Sequence, residues 1–140
     1  MWQTIYGRMF LAYSMSIKFK PGEGQIMTLF RIFMAMIFIA ITIYTGITIS
    51  AHGWNLLPIF FGDMVAMGWP GQFNFDFMCF LLLSALWVAW RHNFSPSGFA
   101  LGAIASVGGM LFLSVYLFIV AGQVDGDVRK LLLGQTRAKE

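Results

Sequence analysis

Trp69–His92 reads WPGQFNFDFMCFLLLSALWVAWRH, and this stretch decides the fold. From Phe73 to Trp90 only Asn74, Asp76 and Ser84 interrupt an apolar run. These 18 residues would extend roughly 27 Å as a helix, close to the hydrocarbon thickness of a bilayer. Trp69 and Pro70 mark the entry; Trp87, Trp90, Arg91 and His92 mark the exit. Aromatic residues at both ends and a basic residue beyond one of them are membrane-interface anchors. The stretch therefore reads as a transmembrane helix. It carries the only acid at membrane depth, Asp76, the only cysteine, Cys79, and at its end one of the two histidines.

The composition agrees. Of 140 residues 59% are hydrophobic and 11% charged, against about 25% charged in soluble domains. Mean hydropathy is +0.74. The net charge of +3 resides in the flanks of the apolar stretches, a placement that suits anionic headgroups rather than nucleic acid. One cysteine excludes an internal disulfide and any cysteine-based metal site within a single chain. No cleavable signal peptide is evident: Met9–Ile17 is short and is followed by KFKPGEG, so the first span serves as the targeting signal.

Working outward, residues 1–20 place Trp2, Ile5, Tyr6, Met9, Phe10, Tyr13 and Ile17 on one helical arc. They predict an amphipathic helix lying in the interface, or one packed on a partner. Pro21, Gly22 and Gly24 predict a turn. Ile26–Ile49 is the first expected span, with Arg31 snorkelling from near its start and Thr28, Thr42, Thr45 and Ser50 bonding to their own helix. The 51–72 connection contains no Lys or Arg. Within it Leu56–Met67 is too short to cross and predicts an interfacial or re-entrant helix, capped by Asn55 and bracketed by Trp54 and Trp69. After the second span, 73–90, Ser95-Pro96-Ser97-Gly98 makes a short turn. The third expected span is 99–121, and 123–140 is a polar, basic tail in which Val128–Leu133 can form a short surface helix.

The expected fold is thus all-α and integral to the membrane. It has three transmembrane helices, a domain over 26–122, an N-terminal interfacial helix and a short helix in the first loop. Charge decides the orientation only weakly. Five basic residues (Arg8, Lys18, Lys20, Arg31, Arg91) fall on one side and four (Arg129, Lys130, Arg137, Lys139) on the other. The first span, four against none, places the N-terminus in the cytoplasm and the tail on the opposite side.

Asp76 is the main candidate site, as a proton or ligand group with a raised pKa. Its plainer reading is that Asp76 and Asn74 cap the helix start. Asp63 reads as a solvated loop acid. His52 and His92 lie at opposite membrane faces, so they cannot clamp one haem; each alone is a candidate tetrapyrrole ligand. The plainer reading of His92 is an interfacial residue beside Arg91. Cys79 reads as a small buried hydrophobe. No cluster has metal-site spacing, and no phosphate loop, nucleophile elbow or carboxylate pair appears. Gly98, Gly102 and Ser106, with Ala105 and Gly109, form a small-residue stripe for helix packing, within the chain or against a partner.

From His52 onward the pattern resembles small uncharacterised bacterial membrane proteins of the domain-of-unknown-function 2834 type. The likeness lies in G-W-N-L-L-P-I-F-F (Gly53–Phe61), the early Asp of F-N-F-D-F (Phe73–Phe77), the W-R-H end and a third span, over roughly 26–122. It implies the fold and location in the bacterial inner membrane, and transfers no catalytic residue.

The functional expectation is a non-catalytic accessory subunit of a larger membrane complex, respiratory or photosynthetic in type. Lipid, carotenoid, quinone or (bacterio)chlorophyll at an interface are the candidate ligands. The alternative is a homo-oligomeric carrier of a small molecule or proton that uses Asp76. An enzyme is not expected.

Overall fold

The structure, a computed structural model, describes residues 21–139. The expected interfacial segment 1–20, with Trp2, lies outside the described residues. Within them the chain is helical and has no strand. Helix α1 runs Pro21–His52, α2 Leu56–Val65, α3 Trp69–Arg91, α4 Pro96–Gln123 and α5 Val128–Leu133, followed by a 3-10 turn over Arg137–Lys139. Three of them, α1, α3 and α4, are long and apolar enough to cross a membrane, as a multi-pass membrane protein requires.

The helix boundaries follow local chemistry. Pro21 opens α1 where a turn is expected; proline suits a first helical position, whose N–H has no intrahelical partner anyway. Thr28, Thr42, Thr48 and Ser50 return their hydroxyls to carbonyls of the preceding turn. Pro58 stands in the first turn of α2, and Asn55 precedes that helix without capping it through its side chain. The start of α3 is Trp69, not Phe73, with Gly68 at the cap position and Pro70 in the first turn. Asn74 and Asp76 therefore lie inside the helix and do not cap it. Ser95 caps α4 by accepting from the Gly98 N–H at 3.1 Å. Asp127 caps α5 by accepting from the Lys130 N–H at 3.1 Å.

The largest departure from the expected fold is in α4. Gly109 has φ 53° and ψ −140°, a conformation essentially reserved for glycine. There the helix folds back on itself. Straight α-helix would separate Gly98 from Tyr116 by about 27 Å. Yet His92 touches both: its Cβ lies 2.7 Å from where a Gly98 Cβ would stand, and its Nε2 is 2.9 Å from the Tyr116 hydroxyl. An imidazole cannot bridge such a separation. Residues 96–108 and 110–123 are consequently the outbound and return arms of a hairpin. Its apex, Gly108-Gly109, rests beside Phe77 and Leu81 of α3. The third apolar stretch is thus not one straight span, because a single left-handed glycine reverses it.

The outbound arm packs tightly on α3. A Cβ on Gly102 would sit 2.8 Å from the Ala85 carbonyl oxygen, and Ala105 and Val88 are both 0% exposed. The return arm packs between α1 and α3. Val120, Ala121 and Val124 join Met27 of α1, and Tyr116 joins Trp87 of α3. Arg31 of α1 lies against Gly122, with its guanidinium 4.5 Å from the Phe118 ring centroid. The end of α4 therefore lies beside the beginning of α1 and the end of α3. Leu131 of α5 completes this core. Beyond the apex, α1 from Thr42 to Ser50 is exposed apart from a half-buried Ile49, and α3 is accompanied by α2.

Candidate functional site

Two places gather polar groups: the base of the bundle around Arg91 and the opposite half around Asn74 and Asp76.

At the base, Arg91 is 8% exposed. It is expected as a headgroup anchor, but it points into the protein. Its Nε donates to the Leu131 carbonyl at 2.8 Å, its Nη2 to the Lys130 carbonyl at 3.1 Å and its Nη1 to the Tyr116 hydroxyl at 3.0 Å. The two carbonyls belong to the last turn of α5, where the helix dipole is negative; that of Lys130 also accepts the Gly134 N–H. The cation thus caps a helix C-terminus supplied by the tail. Trp87 adds a bond from Nε1 to the Leu132 carbonyl at 3.2 Å, and Arg137 stacks on Trp90 at 4.6 Å. The tail over 123–140, expected to be a free polar segment, is docked through α5.

Tyr116 relays this arrangement to His92. Its oxygen accepts from Arg91, so its own proton is free to donate to His92 Nε2. That requires a neutral imidazole protonated on Nδ1. Partial burial lowers the His92 pKa, and the Arg91 charge beside it lowers it further. His92 Nε2 is therefore engaged, and only a change of this network would free it for a tetrapyrrole. His52 is exposed at the far end of α1. The two histidines are not brought together.

In the opposite half, Asn74 donates to the Phe60 carbonyl at 3.3 Å and to Asp63 Oδ2 at 3.2 Å. Gly71 packs directly on the Asp63 backbone. These contacts fasten α2 to the start of α3 and tie Asp63 into the fold, where a solvated loop acid is expected. Asp76 takes no part. It is exposed, and it makes no hydrogen bond or ion pair among the described residues. Cys79, expected to be buried, is exposed one turn further along. Trp54 and Trp69 are exposed near the ends of α2.

The small-residue stripe divides. Gly98, Gly102 and Ala105 are buried, the two glycines directly against α3, so this part is used within the chain. Ser106 returns its hydroxyl to the Ala103 carbonyl, and Gly109 is the hinge. Sequence reading missed Tyr116 and Phe118, and it took Gly109 for a packing residue where the structure makes it the hinge. Two signals pointed to them: a lone phenol in an apolar helix, and a charge count that failed to separate the two sides. No group of three His, Cys, Asp or Glu that could hold a metal occurs among the described residues.

Against protein-family models, curated proteins and solved structures alike, the chain finds no match.

Proposed function

We propose that the chain is a non-catalytic accessory subunit of a larger complex in the bacterial inner membrane, respiratory or photosynthetic in type. The observation that carries this reading is the hairpin apex. At Gly109 the torsions leave helical values, and where one helical arm ends and the next begins, the last carbonyls of the first and the first N–H groups of the second lack partners within their own helix. Irregular backbone at membrane depth is tolerated only where protein buries it or water lines it. Phe77 and Leu81 cover one side of the apex, whereas the adjoining Val107 is 89% exposed. Only 11% of the most apolar stretch of α1, and of α3, is buried. A partner helix over the apex satisfies both conditions.

The fold also supports an orientation. Arg31, Arg91, Arg129, Lys130, Arg137 and Lys139 belong to the end where α1 begins, and the 51–72 connection has no Lys or Arg. The positive-inside rule places that end in the cytoplasm. The tail is then cytoplasmic, on the same side as the start of α1.

The carrier reading is favoured by the same apex if water, not protein, covers it. Two measurements separate the two. Mild-detergent extracts of native membranes are resolved on a native gel, and the band is identified by mass spectrometry and absorption spectroscopy. In parallel, Val107→Cys in a Cys79→Ser background is exposed to a membrane-impermeant maleimide. Stoichiometric co-migration with larger subunits and no labelling supports the subunit. A band of this chain alone, with rapid labelling of position 107, overturns it in favour of the carrier.

A further inference from the structure

Asp76 is the one acid placed well inside an apolar helix without a task. The helix begins at Trp69, so Asp76 stands about 10 Å along it and cannot serve as a cap. Its neighbour Asn74 is committed to Phe60 and Asp63 on another face. On the face of Asp76, helical spacing brings Cys79, Phe80 and Leu83, and all are exposed. A charged carboxylate on a lipid-facing helix is costly and normally pairs with another group. The described cations all belong to the opposite end of the bundle, and the 51–72 connection has none. A second copy meeting this one through the same face would set Asp76 against Asp76 and bring no positive charge.

We infer that the Asp76–Cys79–Leu83 face of α3 seats a transmembrane helix of another protein, and that this helix presents an Arg or Lys to the Asp76 carboxylate. The inference rests on the subunit reading and names the chemistry of the contact. Cys79 is small, so a partner backbone approaches closely beside it, while Phe80 and Leu83 supply the apolar surround that strengthens an ion pair.

The test uses the full chain in native membranes. Benzophenone-4-maleimide on Cys79, the only cysteine, is activated by light. The expected result is an adduct with one membrane protein, mapped to a helix carrying Arg or Lys within a turn of the cross-link. Its yield falls about tenfold in Asp76→Asn and Asp76→Leu, is kept in Asp76→Glu, and returns when Asp76→Lys is combined with the partner's basic residue changed to Asp. A tenfold loss corresponds to one decade in the association constant. Asp76 has no contact to lose within the described residues, so these variants fold. An adduct of twice the chain's own mass, an adduct with lipid alone, a partner helix without a basic residue, or an undiminished yield in Asp76→Leu each overturns the inference. Native gels separate the two levels. If Asp76→Leu still co-migrates with the larger complex, this face is wrong and the subunit reading stands. If the wild-type chain migrates alone, both fall.

Discussion

Replacing Arg91 by Met removes the guanidinium and retains much of the apolar stem. Two of the lost bonds reach the end of α5, to the Leu131 carbonyl at 2.8 Å and the Lys130 carbonyl at 3.1 Å. A hydrogen bond from a charged donor contributes about 1.5–3 kcal/mol net, so the pair contributes about 3–6 kcal/mol to holding the tail. Arg91 is 8% exposed, so water replaces the missing donor poorly until the tail lifts. What remains is the burial of Leu131, about 1.5–3 kcal/mol, the Trp87 bond to Leu132, and Arg137 over Trp90 at 4.6 Å. That last contact adds about 0.5–1 kcal/mol. At the lower figure of about 3 kcal/mol, the open fraction of the tail rises by about two decades. Hydrogen exchange of the protein in lipid nanodiscs reads this directly. The reporters are the Leu131 and Gly134 amides, which donate to Asp127 and Lys130. Arg91→Lys should fall between, because an ammonium cannot reproduce the guanidinium fork. Exchange in Arg91→Met within about threefold of wild type, well short of those two decades, would refute the reasoning, and the tail would then be held by apolar contact alone.

Gly102→Leu should prevent the outbound arm from seating on α3, since even a Cβ would stand 2.8 Å from the Ala85 carbonyl; the expected loss is at least about 1–3 kcal/mol, measured as thermal stability in detergent. Gly109→Ala forces a side chain onto φ 53° and ψ −140°, at about 1–3 kcal/mol, and should lower the same midpoint by several degrees while leaving α1 helical by circular dichroism. The tail should also respond to pH. His92 has a folded pKa below the usual 6.5, so its neutral form stabilises the fold fully above that value. As pH falls below 6.5 the unfolded state takes up the proton first, and tail protection weakens. The Asp127 carboxylate is held below its usual 3.8 chiefly by the Lys130 N–H, so its contribution is lost only in more acidic solution. Hydrogen exchange corrected for its intrinsic pH dependence checks this, and His92→Phe should flatten the response between about pH 5 and 7.

The helical class and the membrane character were legible because they depend on composition and length alone. The runs at 26–49 and 73–90 each fall inside a long helix, and 99–121 falls inside the two arms of α4. The short helix Val128–Leu133 was legible to the residue, since Asp127 and Gly134 bound it. What was not legible depends on contacts between distant residues. Arg91 reads as an anchor because a basic residue after a tryptophan usually faces headgroups. Its actual partners are carbonyls forty residues away, which carry no side-chain signature. Cys79 reads as buried because cysteine usually is, yet the buried face of α3 belongs to Val88, Ala89 and Arg91. Gly109 falls in a stripe of small residues, where packing and hinge glycines look identical. Only its torsion separates them.

One physical fact links the hairpin, the charges and the unpartnered half of the molecule. A straight α4 would divide the nine basic residues five against four, a distribution with no clear orientation. Folding α4 back at Gly109 brings the four tail cations to the side of Arg31 and Arg91, so the six described cations share one end. The same reversal stops α4 partway along its neighbours. α1 and α3 are therefore left without α4 between them over the half that contains Thr42–Ser50 and Asp76. The half nearer Arg91 is built from the chain's own residues, with Val88, Ala105, Tyr116 and Leu131 in its core. The half nearer Asp76 lacks both a core and a counter-charge among the described residues. On the proposed subunit reading, a neighbour would close this open half, and Asp76 is where it would supply charge.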